Sequence, residues 1–145
     1  MALVCRARNR FCALPVAVID ETMRPLPVEP IASAPLFVSG LAIVRGVPTP
    51  VVDAGRLLGA GDDGQPTRFV VVRVGERRVV LAVEAVVGLR TLSAAALREL
   101  PPLIQEASAD VIAAIGALDA ALLVVLRAAR LLPETVWSAL QEGPA

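Results

Sequence analysis

The chain has no histidine, tyrosine or lysine, and only 3% of its 145 residues are aromatic. Without histidine it cannot form a His-based general base or an imidazole metal site. Three Phe and one Trp are too few for a base-stacking platform. Zero formal net charge argues against binding a phosphate backbone. We therefore expect no enzymatic activity, no cofactor, no metal and no nucleic-acid partner.

Long hydrophobic runs are also missing. The most apolar stretch, Val111–Leu126, is interrupted by Asp119 and is shorter than the roughly 20 residues that a spanning helix needs. The N-terminus, MALVCRARNRFC, lacks the apolar core and small-residue cleavage site of a signal peptide. We expect a soluble, cytoplasmic protein without direct membrane insertion.

The two cysteines, Cys5 and Cys12, flank a candidate two-residue turn at Arg8-Asn9. In such a hairpin they would lie directly opposite each other. A cross-strand disulfide or redox switch is one interpretation. A pair of small buried apolar residues in a reducing compartment is the other, and a cytoplasmic location favours it.

Apolar residues make up 56% of the chain, and short Val-rich runs favour strands. The pattern predicts an all-β fold of successive hairpins, with a short helix at Ala94–Leu100 and a final helix at Glu134–Gln141 that carries Trp137. The predicted hairpins pair Ala2–Ala7 with Arg10–Pro15, Leu41–Val44 with Thr49–Asp53, Arg68–Val74 with Arg77–Val83, and Val111–Ala117 with Ala121–Leu126.

The chain also repeats itself. Pro50–Leu58 resembles Val124–Leu132 at an offset of 74 residues, and Arg10–Val18 resembles Arg78–Val86 at an offset of 68. We interpret residues 1–145 as one domain of two related halves, 1–60 and 67–132, each closing a small barrel, followed by a helix over 133–142. The loop between them contains Asp62-Asp63, whose pattern indicates a solvated loop and not a metal site.

Arg45 is the one charged residue in the run from Ala32 to Val52. A charge in such a segment needs an ionic partner or access to solvent. The hairpin around Arg45 is therefore either a recognition surface or the site of a structural ion pair.

Several short motifs follow one another in a specific order and spacing: Glu21, Pro35 to Gly40, Arg45-Gly46, Pro50–Asp53 and Arg77–Glu84. By these motifs the chain resembles, over nearly its whole length, the CheW family of chemotaxis coupling proteins. Ile43 departs from the family pattern, which usually has Asn there, and Ala54-Gly55 and Arg127 are also atypical.

The resemblance implies two packed SH3-like five-stranded β-barrels and a non-enzymatic adaptor. Such an adaptor links the cytoplasmic tip of methyl-accepting chemoreceptors to a chemotaxis histidine kinase, and is recruited to membrane-associated receptor arrays. Ile19, Gly40 and Leu41 match positions that face the kinase regulatory domain. Arg45 either contacts the receptor or forms a structural ion pair with Glu21, and both roles can coexist.

Other interpretations of the residues stay open. Ile19 and Leu41 can be core residues, and Gly40 can serve only backbone geometry. Asp53 is better explained as a helix cap, and Trp137 as the anchor of the last helix.

Other functions also remain. The chain could be an adaptor in a pilus or second-messenger pathway, or a paralogue that binds the kinase alone, as Ile43 suggests. A small ligand-binding barrel is a further alternative, and the apolar content leaves room for weak self-association.

Overall fold

The computed structural model describes residues 1–60, 64–93, 95, 97–98, 111–118 and 121–141. These residues form ten strands in two five-stranded sheets, with two short helices, α1 (Ala54–Leu57) and α2 (Glu134–Gln141). The strands are β1 (Ala2–Ala7), β2 (Arg10–Pro15), β3 (Ile19–Met23), β4 (Val38–Val44), β5 (Val47–Asp53), β6 (Arg68–Val74), β7 (Arg77–Val83), β8 (Ala85–Arg90), β9 (Ile112–Leu118) and β10 (Ala121–Leu126).

The two sheets have the same internal arrangement. Sheet 1 has the strand order β8-β1-β2-β10-β9, and sheet 2 has the order β3-β6-β7-β5-β4. In each sheet two antiparallel hairpins meet through one parallel contact, β2 with β10 and β5 with β7. The all-β fold of two packed five-stranded units with a C-terminal helix is therefore confirmed.

The Val-rich runs form strands that are buried on both faces. Val70 and Val72 of β6 belong to a cluster that also includes residues of sheet 1, whereas Phe69 and Val71 belong to a cluster confined to sheet 2. Sheet 1 has a matching cluster of its own around Val4. Burial on both faces explains why these strands are continuously apolar and do not alternate with polar residues.

The prediction that each half of the chain closes its own barrel is wrong. Sheet 1 takes β1 and β2 from the first half and β8, β9 and β10 from the second, and sheet 2 takes the complementary strands. The halves therefore exchange their first hairpins. The described edge strands β8 and β9, and likewise β3 and β4, do not pair with each other, so the sheets are not closed barrels. The assignment of the whole chain to one domain stays a prediction.

The predicted repeat is present in the register, with one correction. The pairs Gly40–Val51 and Ala114–Val125 occupy equivalent places, which agrees with the offset of 74. Cys5–Cys12 is equivalent to Val72–Val79, so the second offset is 67, not 68. Runs of Val, Leu and Ala look alike after a shift of one residue, although such a shift exchanges the two faces of a strand.

Several boundaries also differ from the predictions. The turn between β4 and β5 is Arg45-Gly46, because β5 begins earlier than predicted, at Val47. The predicted helix at Ala94–Leu100 and the loop with Asp62-Asp63 fall largely or wholly outside the described residues. Within that helix segment Arg98 instead forms a β-bridge with Ile115.

Candidate partner-binding surface

The β4–β5 hairpin turns tightly at Arg45-Gly46. Both residues have positive φ, 49° and 81°, as a type I′ turn requires. Gly46 adopts this conformation without steric cost, whereas Arg45 is held there as a non-glycine residue. The turn directs the Arg45 side chain outwards, with 69% of it exposed.

Arg45 forms a two-pronged ion pair with Glu21 of β3. Its Nε donates to Oε2 at 2.6 Å and its Nη2 donates to Oε1 at 2.8 Å. The hydrogen bond from Arg45 lowers the pKa of Glu21, and Glu21 in turn raises the pKa of Arg45. Since β3 and β4 are the two edges of sheet 2, the pair joins one edge strand to the turn beside the other.

Ile19 and Leu41 occupy the two ends of one row across sheet 2. Ile19 lies opposite Val72, and Val72 lies opposite Val79. Leu41 lies opposite Pro50. Extending the parallel register by one residue from the Val51–Val80 pair brings Pro50 next to Val79. The middle of the row is buried, but Ile19 and Leu41 are each only half-buried. Their role in binding a partner stays a prediction.

Gly40 lies beneath the connector between β3 and β4. Its φ is 145°, and a Cβ at this position would overlap the carbonyl oxygen of Glu29. A partner can therefore reach Gly40 only if the Glu29 segment moves. This geometry favours a backbone role for Gly40 over direct contact.

The hairpin also exposes two apolar side chains. Ile43 is 59% exposed and Val47 is 54% exposed. The family's usual Asn at position 43 is a signal of exposure, whereas nothing in the sequence marks Val47 as exposed. Leu41 and Ile43 alternate with the buried Ala42 and Val44 and therefore share one face of β4, whereas Val47 pairs with Val44 on the other face.

A second acidic residue of β3 was also missed. Asp20 pairs with Arg73 at 2.6 Å and with Arg78 at 2.7 Å, and Arg73 additionally donates to the carbonyl of Ala17. Asp20 therefore fixes the start of β3 to the β6–β7 hairpin. Asp20 lies 53 positions from Arg73 in the sequence and still further from Arg78, so local spacing gives no hint of the cluster.

A buried ion cluster joins the two sheets. Arg8, in the β1–β2 turn of sheet 1, donates to both carboxylate oxygens of Asp53 at 3.0 and 3.2 Å and lies 3.3 Å from Glu84. The three side chains are only 8 to 10% exposed. Asp53 also accepts from the backbone N–H of Arg56, so the predicted cap of α1 is present.

An open groove of about 590 Å³ lies between the start of β5, the β6–β7 turn and α2. Trp137 is 7% exposed and anchors α2 by packing into the apolar cluster that both sheets share. The Arg77 guanidinium lies 5.0 Å above its ring. Arg77 also pairs with Glu134, so its charge is already compensated. The groove is lined by Val47, Pro48, Thr49, Pro50, Arg73, Gly75, Glu76, Arg77, Arg78 and Trp137.

The cysteines lie opposite each other in the β1–β2 ladder, as the turn predicts. Both are free and buried, and burial raises the pKa of Cys5 to about 12 and that of Cys12 further. These thiols are therefore protonated at neutral pH and poorly nucleophilic. Within the described part of the chain, no cluster of Cys, Asp and Glu is arranged to hold a metal ion.

The helices that the structure describes are all too short or too polar to cross a bilayer.

The family model for the CheW-like domain matches residues 1–136. The match defines the class of protein as a scaffold or adaptor of chemotaxis signalling. The chain belongs to the CheW-like domain family, which is consistent with the expectation that it is not an enzyme.

A solved structure has the same fold. The crystal structure of the scaffolding protein TtCheW from Thermoanaerobacter tengcongensis superposes with a TM-score of 0.76 at 20% sequence identity. The match covers 87% of each chain. The two proteins therefore share the two-sheet architecture along most of their lengths.

Proposed function

We propose that this protein is a non-enzymatic adaptor that links methyl-accepting chemoreceptors to a chemotaxis histidine kinase. The CheW-like match over residues 1–136 carries the proposal. In this scheme the kinase regulatory domain docks on the surface that includes Ile19 and Leu41. The receptor tip contacts the region around Arg45, which recruits the protein to receptor arrays.

The geometry of the hairpin supports a binding role. Leu41 and Ile43 are accessible on one face of β4, and apolar residues on such a face provide the desolvated centre of an interface. The Glu21–Arg45 pair orders the turn and presents the guanidinium at the same time. One charge can thus fix the hairpin and contact a partner.

Calorimetry with the regulatory domain of a chemotaxis-type kinase from the same organism tests the kinase contact. We expect wild type to bind at micromolar affinity or better, Leu41→Asp to abolish binding, and Arg45→Ala to retain it. Leu122→Asp is the matched control, because Leu122 is a half-exposed leucine of sheet 1. If folded wild type binds none of the organism's kinases, the kinase contact is wrong and a non-kinase partner takes its place.

Ile43 supports a second candidate function, that of a paralogue which binds the kinase alone. Its side chain is exposed on the hairpin where the family usually has Asn. Pull-down with receptor cytoplasmic fragments separates the two functions. Receptor binding by wild type supports coupling, whereas binding only after Ile43→Asn supports the kinase-only paralogue. An adaptor of a non-motility pathway would bind neither chemotaxis partner.

A further inference from the structure

The connector between β3 and β4 forms a β-bridge with β4 at Leu41. The Glu29 N–H donates to the Leu41 carbonyl at 2.8 Å, and the Leu41 N–H donates to the Glu29 carbonyl at 2.9 Å. We name Glu29-Pro30 the strap. It satisfies the outward backbone groups of Leu41 on an edge strand, where unpaired groups would otherwise invite another strand.

The sequence of the connector limits this contact to a single bridge. Prolines stand at positions 25, 27 and 30, and proline has no N–H to donate. Glu29 is the one connector residue that bridges to β4 in the described chain. The strap is thus held at the edge of β4 by two hydrogen bonds and not by a continuous ladder.

Gly40 makes room for the strap. A Cβ on Gly40 would overlap the Glu29 carbonyl oxygen and lie 2.7 Å from the Glu29 carbonyl carbon and 3.0 Å from the Pro30 Cα. All of these are backbone atoms, which cannot rotate away as a side chain can. The close approach therefore depends on glycine in its present conformation.

We propose that Gly40 is a positioning residue: it seats the strap, and the strap fixes Leu41 for a partner that docks on the side-chain face of β4. The strap occupies the edge of β4 at Leu41, so the partner does not add a strand there. The identity of that partner rests on the proposed function. Fixing Leu41 before docking removes part of the ordering cost of association.

The equivalent bridge in sheet 1 defines a competing outcome. Arg98 and Ile115 exchange the same two hydrogen bonds, and the position before Ile115 is Ala114. Ala114 is not among the described residues with positive φ, so its Cβ takes a direction that this bridge tolerates. If Gly40→Ala adopted that backbone, the strap would stay in place.

Amide exchange and methyl NMR on the full-length protein test the strap without any partner. In wild type we expect protected amides at Glu29 and Leu41 and one set of Leu41 methyl signals. Gly40→Ala should displace the strap, and Glu29→Pro should remove the N–H that donates to Leu41. Each should speed amide exchange at Leu41 at least about tenfold. Each should also bring the chemical shifts of the two Leu41 methyl groups closer together, because the side chain then samples several rotamers. Glu29→Ala keeps the backbone bridge. Gly75→Ala places a Cβ at another positive φ where nothing lies within 4 Å.

Calorimetry with the kinase regulatory domain then tests the consequence. Gly40→Ala and Glu29→Pro should weaken binding about three- to tenfold, the cost of ordering one side chain, and both controls should bind like wild type. Unchanged Leu41 exchange and methyl signals in Gly40→Ala would overturn the proposal, because the strap would then stay in place without glycine. An opened strap with unchanged affinity would overturn the positioning role and leave the adaptor function intact. If wild type binds no kinase, the proposed kinase contact fails, and the amide exchange and methyl signals decide whether the strap positions Leu41.

Discussion

The two sheets share one topology but carry their charges in different places. Edge strand β3 of sheet 2 has Asp20 and Glu21, whereas the equivalent positions of β8 in sheet 1 are Val87 and Gly88. The shared apolar pattern is therefore sufficient for the fold, and the charged residues distinguish one sheet from the other. By this comparison, the edge of sheet 2 carries specific charged residues that the equivalent edge of sheet 1 lacks.

The ends of β5 and β10 show the same contrast. The backbone N–H of Asp53 donates to the Phe37 carbonyl, and the equivalent Arg127 N–H donates to the Val111 carbonyl, each at 2.7 Å. The backbone is thus conserved between the halves while the side chain changes sign. Only the Asp53 end can hold Arg8, so the buried ion cluster breaks the symmetry of the molecule.

The largest expected effect comes from removing the cation of that cluster. Arg8→Met leaves the buried carboxylates of Asp53 and Glu84 without their shared partner, and should lower the free energy of unfolding by about 3–5 kcal/mol. Urea denaturation measures this loss. Arg10→Met, an exposed arginine of the same hairpin, should change it by less than about 0.5 kcal/mol. Similar losses in the two variants would contradict the asymmetry.

A glycine of α1 tests the same cluster from the other side. Gly55→Ala in a helix ordinarily stabilises by up to about 1 kcal/mol, but here the new Cβ would lie 2.5 Å from the Arg8 Cζ. We expect a loss of about 1–3 kcal/mol from overpacking. In an Arg8→Ala background the sign should reverse, which a double-mutant cycle in urea measures. If Gly55→Ala still lowers the free energy of unfolding in the Arg8→Ala background, contact with Arg8 is not the reason why position 55 requires glycine.

The hairpin turns and the buried ion cluster also show which contacts can and cannot be predicted from the sequence. The short turns at Arg8-Asn9 and Arg45-Gly46 fix the hairpin registers locally, and the family resemblance relates Glu21 to Arg45. The contacts of Arg8 with Asp53 and Glu84 span 45 and 76 positions, with no periodicity to connect them. The exchange of hairpins between the halves cannot be predicted either, because the apolar pattern of a strand does not specify which distant strand it pairs with.

A smaller effect is expected where the two sheets already agree. Cys5 and Cys12 are equivalent to Val72 and Val79, which face each other in sheet 2 in the same way. The double variant Cys5→Val, Cys12→Val should therefore keep the fold and change the free energy of unfolding by less than about 1.5 kcal/mol. The raised thiol pKa values predict that labelling of wild type by a thiol reagent waits for unfolding. Rapid labelling of the native protein would instead favour a redox role.

The smallest effect concerns pH and the edge of sheet 2. Because the folded-state pKa of Glu21 is lowered from its ordinary value of 4.5 by the Arg45 hydrogen bond, the stabilisation it provides is complete above that value. It is lost as pH falls below 4.5 and through the lowered folded-state pKa. The protection factor of the Val47 amide, at the strand pair that closes the turn, should then fall, while protection factors on β8, where Gly88 replaces the acid, should not. Glu21→Gln should remove the difference, since glutamine does not titrate. If both edges respond alike to acid, the Glu21–Arg45 pair does not order the hairpin.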